Sequence, residues 1–200
     1  MIRPCDANEV AEAWKVIMNL HHQPAALILT RQALPTIDRG KYATASGLTR
    51  GAYVLADTAE DKPDVLLLAS GSEVTLCLEA HERLNAEGIL ARVVSMPSWV
   101  LFERQSEEYR ESVLPSSVRA RVSVEAAGPM SWHRWVGTDG RIVAISHFGE
   151  SAPAKRLFEE LGFTAENIVN KVRCVLGLES PQPELERGLA AAGPTRHGTD

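Results

Sequence analysis

Cysteine, long apolar runs and clustered charge of one sign are all scarce in this sequence, and each scarcity removes a class of function. Its 200 residues hold three cysteines, Cys5, Cys77 and Cys174, odd in number and far apart. Such spacing supports neither a disulfide framework nor a Cys-rich zinc site. It suits a reducing compartment, so a cytoplasmic location is expected. No apolar stretch approaches the roughly 20 residues needed to span a bilayer, and Pro4, Asp6 and Glu9 stand where a signal peptide would need its apolar core. No membrane partner and no targeting segment are expected. The net charge of -5 is mild and the basic residues are scattered, so no nucleic-acid partner is expected either.

Spacing excludes further chemistries. The nearest approaches to a hydrolase Gly-x-Ser-x-Gly elbow, Gly149 to Pro153 and Ala69 to Ser72, both fail it. No His-Glu-x-x-His is present, and the adjacent His21 and His22 would point about 100° apart on a helix. Gly-x-x-x-x-Gly-Lys and Gly-x-Gly-x-x-Gly are missing as well. We therefore expect no metal ligands and none of these catalytic classes in this chain. Cys77 and His81, one helical turn apart on an apolar face, read as core, and Trp132, His133 and Trp135 as packing residues of a core or interface.

What is present is an ordinary globular composition, 44% hydrophobic and 24% charged, enough for one domain and part of another. Asp6 and Glu9 open an amphipathic helix striped by Val10, Trp14, Ile17, Met18 and His21. Ala25 to Thr30 has the length and character of a buried parallel strand, with Arg31 at its end. This helix and strand are too small to bury their own surfaces, so they read as the remnant of a domain. Residues 36–50 read as a linker.

From Gly51 a fuller unit follows. Val65 to Ala69 is a buried strand, Ser70-Gly71-Ser72-Glu73 has capping-box spacing, and Val74, Cys77, Leu78, His81 and Leu84 stripe a helix. The Ser70 turn could cradle an anion, but capping explains its residues better. Arg92 to Met96 closes a right-handed β-α-β crossover. Val118, Ala120, Val122 and Val124 alternate with polar residues, which predicts a strand with one more exposed face, and Ile142 to Ser146 predicts another. Ser151 is expected to cap and Pro153 to start a helix striped by Ala154, Leu157, Phe158 and Leu161. Thr164 opens a last helix striped by Ile168, Val172, Val175 and Leu176. Residues 178–200, rich in Pro and Gly, are expected to form a disordered tail.

Eight blocks resemble the transketolases, in the order in which that family carries them. They are Arg3-Pro4-Cys5-Asp6, Ala13-Trp14-Lys15, Ala26 to Gln32, Gly51 to Leu55, Ala69 to Val74, Ala91 to Pro97, Tyr109 to Pro115 and Phe148 to Pro153. The resemblance covers about residues 2–177. It implies an α/β fold, a three-layer sandwich with a mostly parallel sheet like the transketolase C-terminal domain, preceded by a helix-strand remnant of the pyrimidine-binding domain. The implied organisation is 1–35 for the end of the pyrimidine-binding domain, 36–50 for the linker and 51–177 for the C-terminal domain. The family moves a two-carbon ketol unit from a ketose phosphate to an aldose phosphate, in the pentose phosphate pathway, using thiamine diphosphate and a divalent metal such as Mg. The residue matching its sugar-phosphate arginine is Arg31, whose planar, permanently charged fork suits phosphate oxygens.

The family's glutamate that activates the cofactor, its Gly-Asp-Gly metal and diphosphate segment and its histidines near the reacting carbons lie upstream of the matched region. The resemblance thus implies that this chain binds no cofactor alone, needs an N-terminal cofactor-binding part as partner, and forms a homodimer. The alternative is a non-catalytic interaction, regulatory or dimerisation module derived from transketolase.

Overall fold

The sheet is built where the sequence concentrates its β-branched and leucine residues. The computed structural model describes residues 1–58 and 62–179. Five strands, β1 (Tyr53–Ala56), β2 (Val65–Ala69), β3 (Ala91–Ser95), β4 (Arg121–Val124) and β5 (Arg141–Val143), pair in the order β1-β3-β2-β4-β5. All pairs are parallel except β1 with β3, which is antiparallel and irregular between Val54 and Ala56. Every residue of β2 and β3 is buried, as expected of central parallel strands covered on both faces.

Strand alternation sorts the side chains into two cores. Val65, Leu67, Val93, Val122 and Val124 pack under α2 (Val74–Ala86) and α7 (Ala165–Val175). Leu66, Leu68 and Val94 face the opposite layer, formed by α3 (Trp99–Glu103), α4 (Glu107–Val113) and α5 (His133–Val136) through Phe102, Val113, Trp132 and Trp135. This is the expected three-layer α/β sandwich. Trp132 and Trp135 are core residues, with Trp99 edge-on to both.

The elements missed in the sequence are the short ones. β1, α3, α4 and α5 have 4, 5, 7 and 4 residues, too few for a period to show. The 36–50 stretch contains a 3₁₀ turn over Ala45–Arg50. β4 differs from expectation in a more telling way. Its polar face is not exposed, because Ser123 and Glu125 are buried and the Arg121 guanidinium donates to the carbonyls of Trp135 and Pro115. Arg121 and Glu125 find internal partners, whereas the buried Ser123 hydroxyl has none among the described residues.

The N-terminal unit departs furthest. Helix α1 (Ala7–Met18) forms as expected, with the Asp6 carboxylate accepting from the Glu9 N–H. Its buried residues, however, are Glu9 and Ala13, while Trp14 is 51% and Met18 72% exposed. The Ala25 to Thr30 run makes only an isolated parallel bridge, Ile2 to Leu27, and Ile28 and Leu29 are exposed. The expected buried strand is therefore not buried here, because among the described residues only the Ile2 bridge pairs with it. Helix α6 (Ala154–Glu160) follows Pro153 at its N-cap without a side-chain cap, so Ser151 does not play the expected part. Helix α7 is capped by Thr164 as expected. Of the expected tail only Leu178 and Glu179 are described; 180–200 lie outside the described residues.

Candidate functional site

Arg31 follows the exposed run and sits in a bend stabilised by the Thr30 hydroxyl, which accepts from the Gln32 N–H at 3.0 Å. Its side chain is exposed and, among the described residues, has no hydrogen-bond or ion-pair partner. Its neighbours Thr30 and Gln32, and Leu34 beyond them, line a cavity of about 670 Å³, whose other walls include Arg3, Glu73, Arg83 and Phe158. Arg31 itself is not a wall residue. The geometry leaves its guanidinium free to meet an anion from solvent or from another surface.

Arg3, Ser72 and Glu73 of that cavity's wall belong to a charged cluster that sequence reading did not anticipate. Arg3 forms ion pairs with Glu73, at 2.6 Å, and with Glu125. Its Nη1 also donates to the Ser70 carbonyl at 3.0 Å. The Ser70 hydroxyl donates to Glu125 Oε2 at 2.8 Å, and Ser72 donates to Glu73 Oε1 at 2.6 Å. Ser70 therefore makes no side-chain cap, and Glu73 serves an ion pair instead of the expected capping box. Burial pushes the Glu125 carboxyl up, with the Arg3 charge opposing and Glu73 adding. The signal for this cluster was present in the Arg3-Pro4 block and in Glu125 at the end of an alternating run, but a polar residue in alternation reads as solvent-facing.

A second buried network joins α1 to the sheet. Glu9 accepts from the Tyr53 hydroxyl and the Ser95 hydroxyl at 2.7 Å each, and from the Cys5 N–H at 2.8 Å. Arg39 donates from Nη2 to both Asp6 oxygens at 3.0 Å and from Nη1 to the Tyr53 oxygen at 3.0 Å. Burial, then the Glu9 charge, drives the Tyr53 hydroxyl upward, so it remains protonated and donating.

Cys77 and His81 take the core positions expected of them. Burial raises the Cys77 thiol, which makes it a poor nucleophile. Among the described residues no group of three or more His, Cys, Asp or Glu is placed to hold a metal ion, and no helix is long and apolar enough to cross a membrane.

The family model described as "Transketolase-like TK C-terminal domain" matches residues 51–164. The chain is similar to the transketolase of Aquifex aeolicus, 51% identical over 172 residues, covering 86% of this chain and 25% of that protein. Among solved structures it resembles the Pichia stipitis transketolase in complex with sedoheptulose 7-phosphate, at 34% identity and a TM-score of 0.79, covering 88% of this chain and 25% of that one. A split-gene transketolase, described as an inactive beta4 tetramer, shares the fold at 24% identity and a TM-score of 0.67, over 88% of this chain and 57% of that one. The chain thus spans about a quarter of the length of the curated relatives it matches.

Proposed function

The chain belongs to the transketolase family, and on that premise we propose that it acts as the C-terminal portion of a ketol transferase, supplying Arg31 to the phosphate of the sugar substrate. In this reading residues 1–35 end a pyrimidine-binding domain, 36–50 link, 51–177 form the C-terminal domain and 178–200 a tail. The reaction is the thiamine-diphosphate-dependent movement of a two-carbon unit from ketose phosphate to aldose phosphate, and the chain is inactive until an N-terminal cofactor-binding part joins it.

The observation that supports the reading is Arg31 itself, exposed and without an anion of its own among the described residues. Exposure leaves its guanidinium available to an incoming anion. The solved relative with bound sedoheptulose 7-phosphate makes a sugar phosphate the natural anion. The relative described as split-gene supports a partner chain for the cofactor-binding part. Thiamine diphosphate and its divalent metal do not fit the acidic residues gathered here, because Glu73 and Glu125 already hold the Arg3 guanidinium between them, and that cation would repel a metal ion. Those groups belong to the partner, and no step of the chemistry is assigned to this chain.

The test mixes the full chain with the N-terminal cofactor-binding part of a transketolase, thiamine diphosphate and magnesium. Ketol transfer is expected from the mixture and from neither part alone. A stoichiometric thiamine diphosphate site on the isolated chain by calorimetry, or a stable complex without activity, would overturn the reading.

A further inference from the structure

In open α/β sheets, ligands bind outside the carboxyl ends of the strands, in the crevice where strand order reverses. Here the chain runs from β2 outward to β3 and then crosses back to β4 on the other side of β2. The reversal point therefore lies between the carboxyl ends of β2 and β4, after Ala69 and Val124. Ser70, Glu73 and Glu125 stand there, and the group lying among them is the side chain of Arg3. We propose that this crevice is a guanidinium-binding site which the chain fills with its own Arg3, and that this occupancy fastens the N-terminal unit to the α/β domain.

The receptor is built for a planar fork and not for a point charge. Nη1 donates to Glu125 and to the Ser70 carbonyl, while Nη2 meets Glu73 Oε2 at 2.6 Å as a charge contact not aligned as a hydrogen bond, so the two carboxylates are reached by different nitrogens of one guanidinium. Each carboxylate has its other oxygen fixed by a serine, Ser70 on Glu125 and Ser72 on Glu73. The Glu73 side chain is fully buried and that of Glu125 is 10% exposed, so neither has water enough to replace the cation. Gly71 makes the space. A Cβ there would stand 2.8 Å from Arg3 Cζ and Nε, and its φ of +60° is the left-handed conformation that suits glycine. The Arg3 backbone completes the hold, its N–H donating to the Pro97 carbonyl at 2.8 Å and its carbonyl accepting from the Gly71 N–H at 3.1 Å.

Removing the side chain should leave an empty receptor that free guanidinium can refill. The full chain carrying Arg3→Ala is expected to melt about 6 to 20 °C below the parent, the range for one lost partner of a buried pair in a chain this size. Methylguanidinium chloride at tens of millimolar should recover at least a third of that loss in a saturable way. Potassium chloride at equal concentration should not, and the parent should gain nothing from either salt. Adding Glu125→Gln to Arg3→Ala should cut the recovery severalfold. An Arg3→Ala chain melting within 1 °C of the parent, or one on which the two salts act alike, overturns the proposal. Should Arg3→Ala fail to fold, Arg3→Lys decides: an ammonium reaching one carboxylate should lose about half as much, and a lysine chain as stable as the parent overturns the requirement for a fork. The readout is stability and not turnover, so its failure is separate from failure of the ketol-transfer reading.

Discussion

Two arginines of the same N-terminal unit show how surroundings assign a role to one chemistry. Arg3 has its fork filled by carboxylates of its own chain, whereas Arg31 has no partner among the described residues. In the enzyme reconstituted with its cofactor-binding part, Arg31→Ala is expected to weaken transition-state binding of phosphorylated substrates by about 1.5 to 3 kcal/mol, the range for hydrogen bonds to charged groups. The loss can fall on turnover as well as on KM, because remote contacts are realised partly in the transition state. Glycolaldehyde, which has no phosphate, is the control acceptor. Equal losses in kcat/KM for the two acceptor classes would assign Arg31 to the fold instead. His81 supplies a second test at this scale. Its Nδ1–H donates to the Ala91 carbonyl at 2.7 Å and its Nε2 accepts from Asn85 at 3.0 Å, a pair of bonds that needs the neutral ring. Burial lowers its pKa from 6.5, with the Ala91 carbonyl, Glu82 and Asp57 opposing and Lys41 adding. A base with a depressed folded pKa contributes stability above its unfolded pKa and loses it as the pH falls through the folded value. Unfolding free energy should therefore fall below about pH 6.5 with a component of at most about 1.4 kcal/mol per pH unit. His81→Gln should remove that component; an unchanged slope in urea melts across this range would refute it.

Helix starts at the scale of elements look alike in sequence and differ in structure. Thr164 and Ser70 both precede helices, but Thr164 Oγ1 accepts from the Asn167 N–H while the Ser70 hydroxyl is spent on Glu125. Thr164→Ala should cost about 1 kcal/mol and Thr164→Asp almost nothing, since aspartate is at least as good a cap. Ser70→Asp should be strongly destabilising, because it adds a third carboxylate beside Glu73 and Glu125. A well-tolerated Ser70→Asp in thermal melts would return Ser70 to the role of a cap. The same distinction explains what could be read from sequence. The helices α2 and α7 were legible because their period marks one face, and β2 and β3 because they are continuous apolar runs of strand length. The four-residue β1 and the helices α3 to α5 were not, and neither was the buried polar face of β4. Alternation reports polarity, and polarity equals exposure only where nothing packs over that face.

For the whole molecule, the most informative mismatch is α1, whose stripe of Val10, Trp14, Ile17 and Met18 was legible but whose burial was not. Periodicity shows that a face wants covering and cannot say whether this chain covers it. Here Ala13 and Glu9 point inward, Ile17 packs partly against the cluster of Ile2, Ala13 and Leu48, and Trp14 and Met18 are exposed, as are Ile28 and Leu29 of the uncovered 25–30 run. Four large exposed apolar side chains on one small unit favour association, and identical surfaces favour a closed dimer. The isolated chain is accordingly expected to sediment as a concentration-dependent mixture of monomer and larger species over a hundredfold range. Replacing both Trp14 and Met18 by lysine should shift it to monomer while leaving the melting temperature within about 2 °C, since neither side chain is in a core. Ala13→Lys should instead unfold the N-terminal unit, because Ala13 is fully buried against Ile2 and Leu48. Addition of the cofactor-binding part should compete with self-association, because both would cover the same apolar residues. A parent chain that is monomeric throughout, or a double-lysine chain that associates as the parent does, would show that these faces are not the ones that drive assembly.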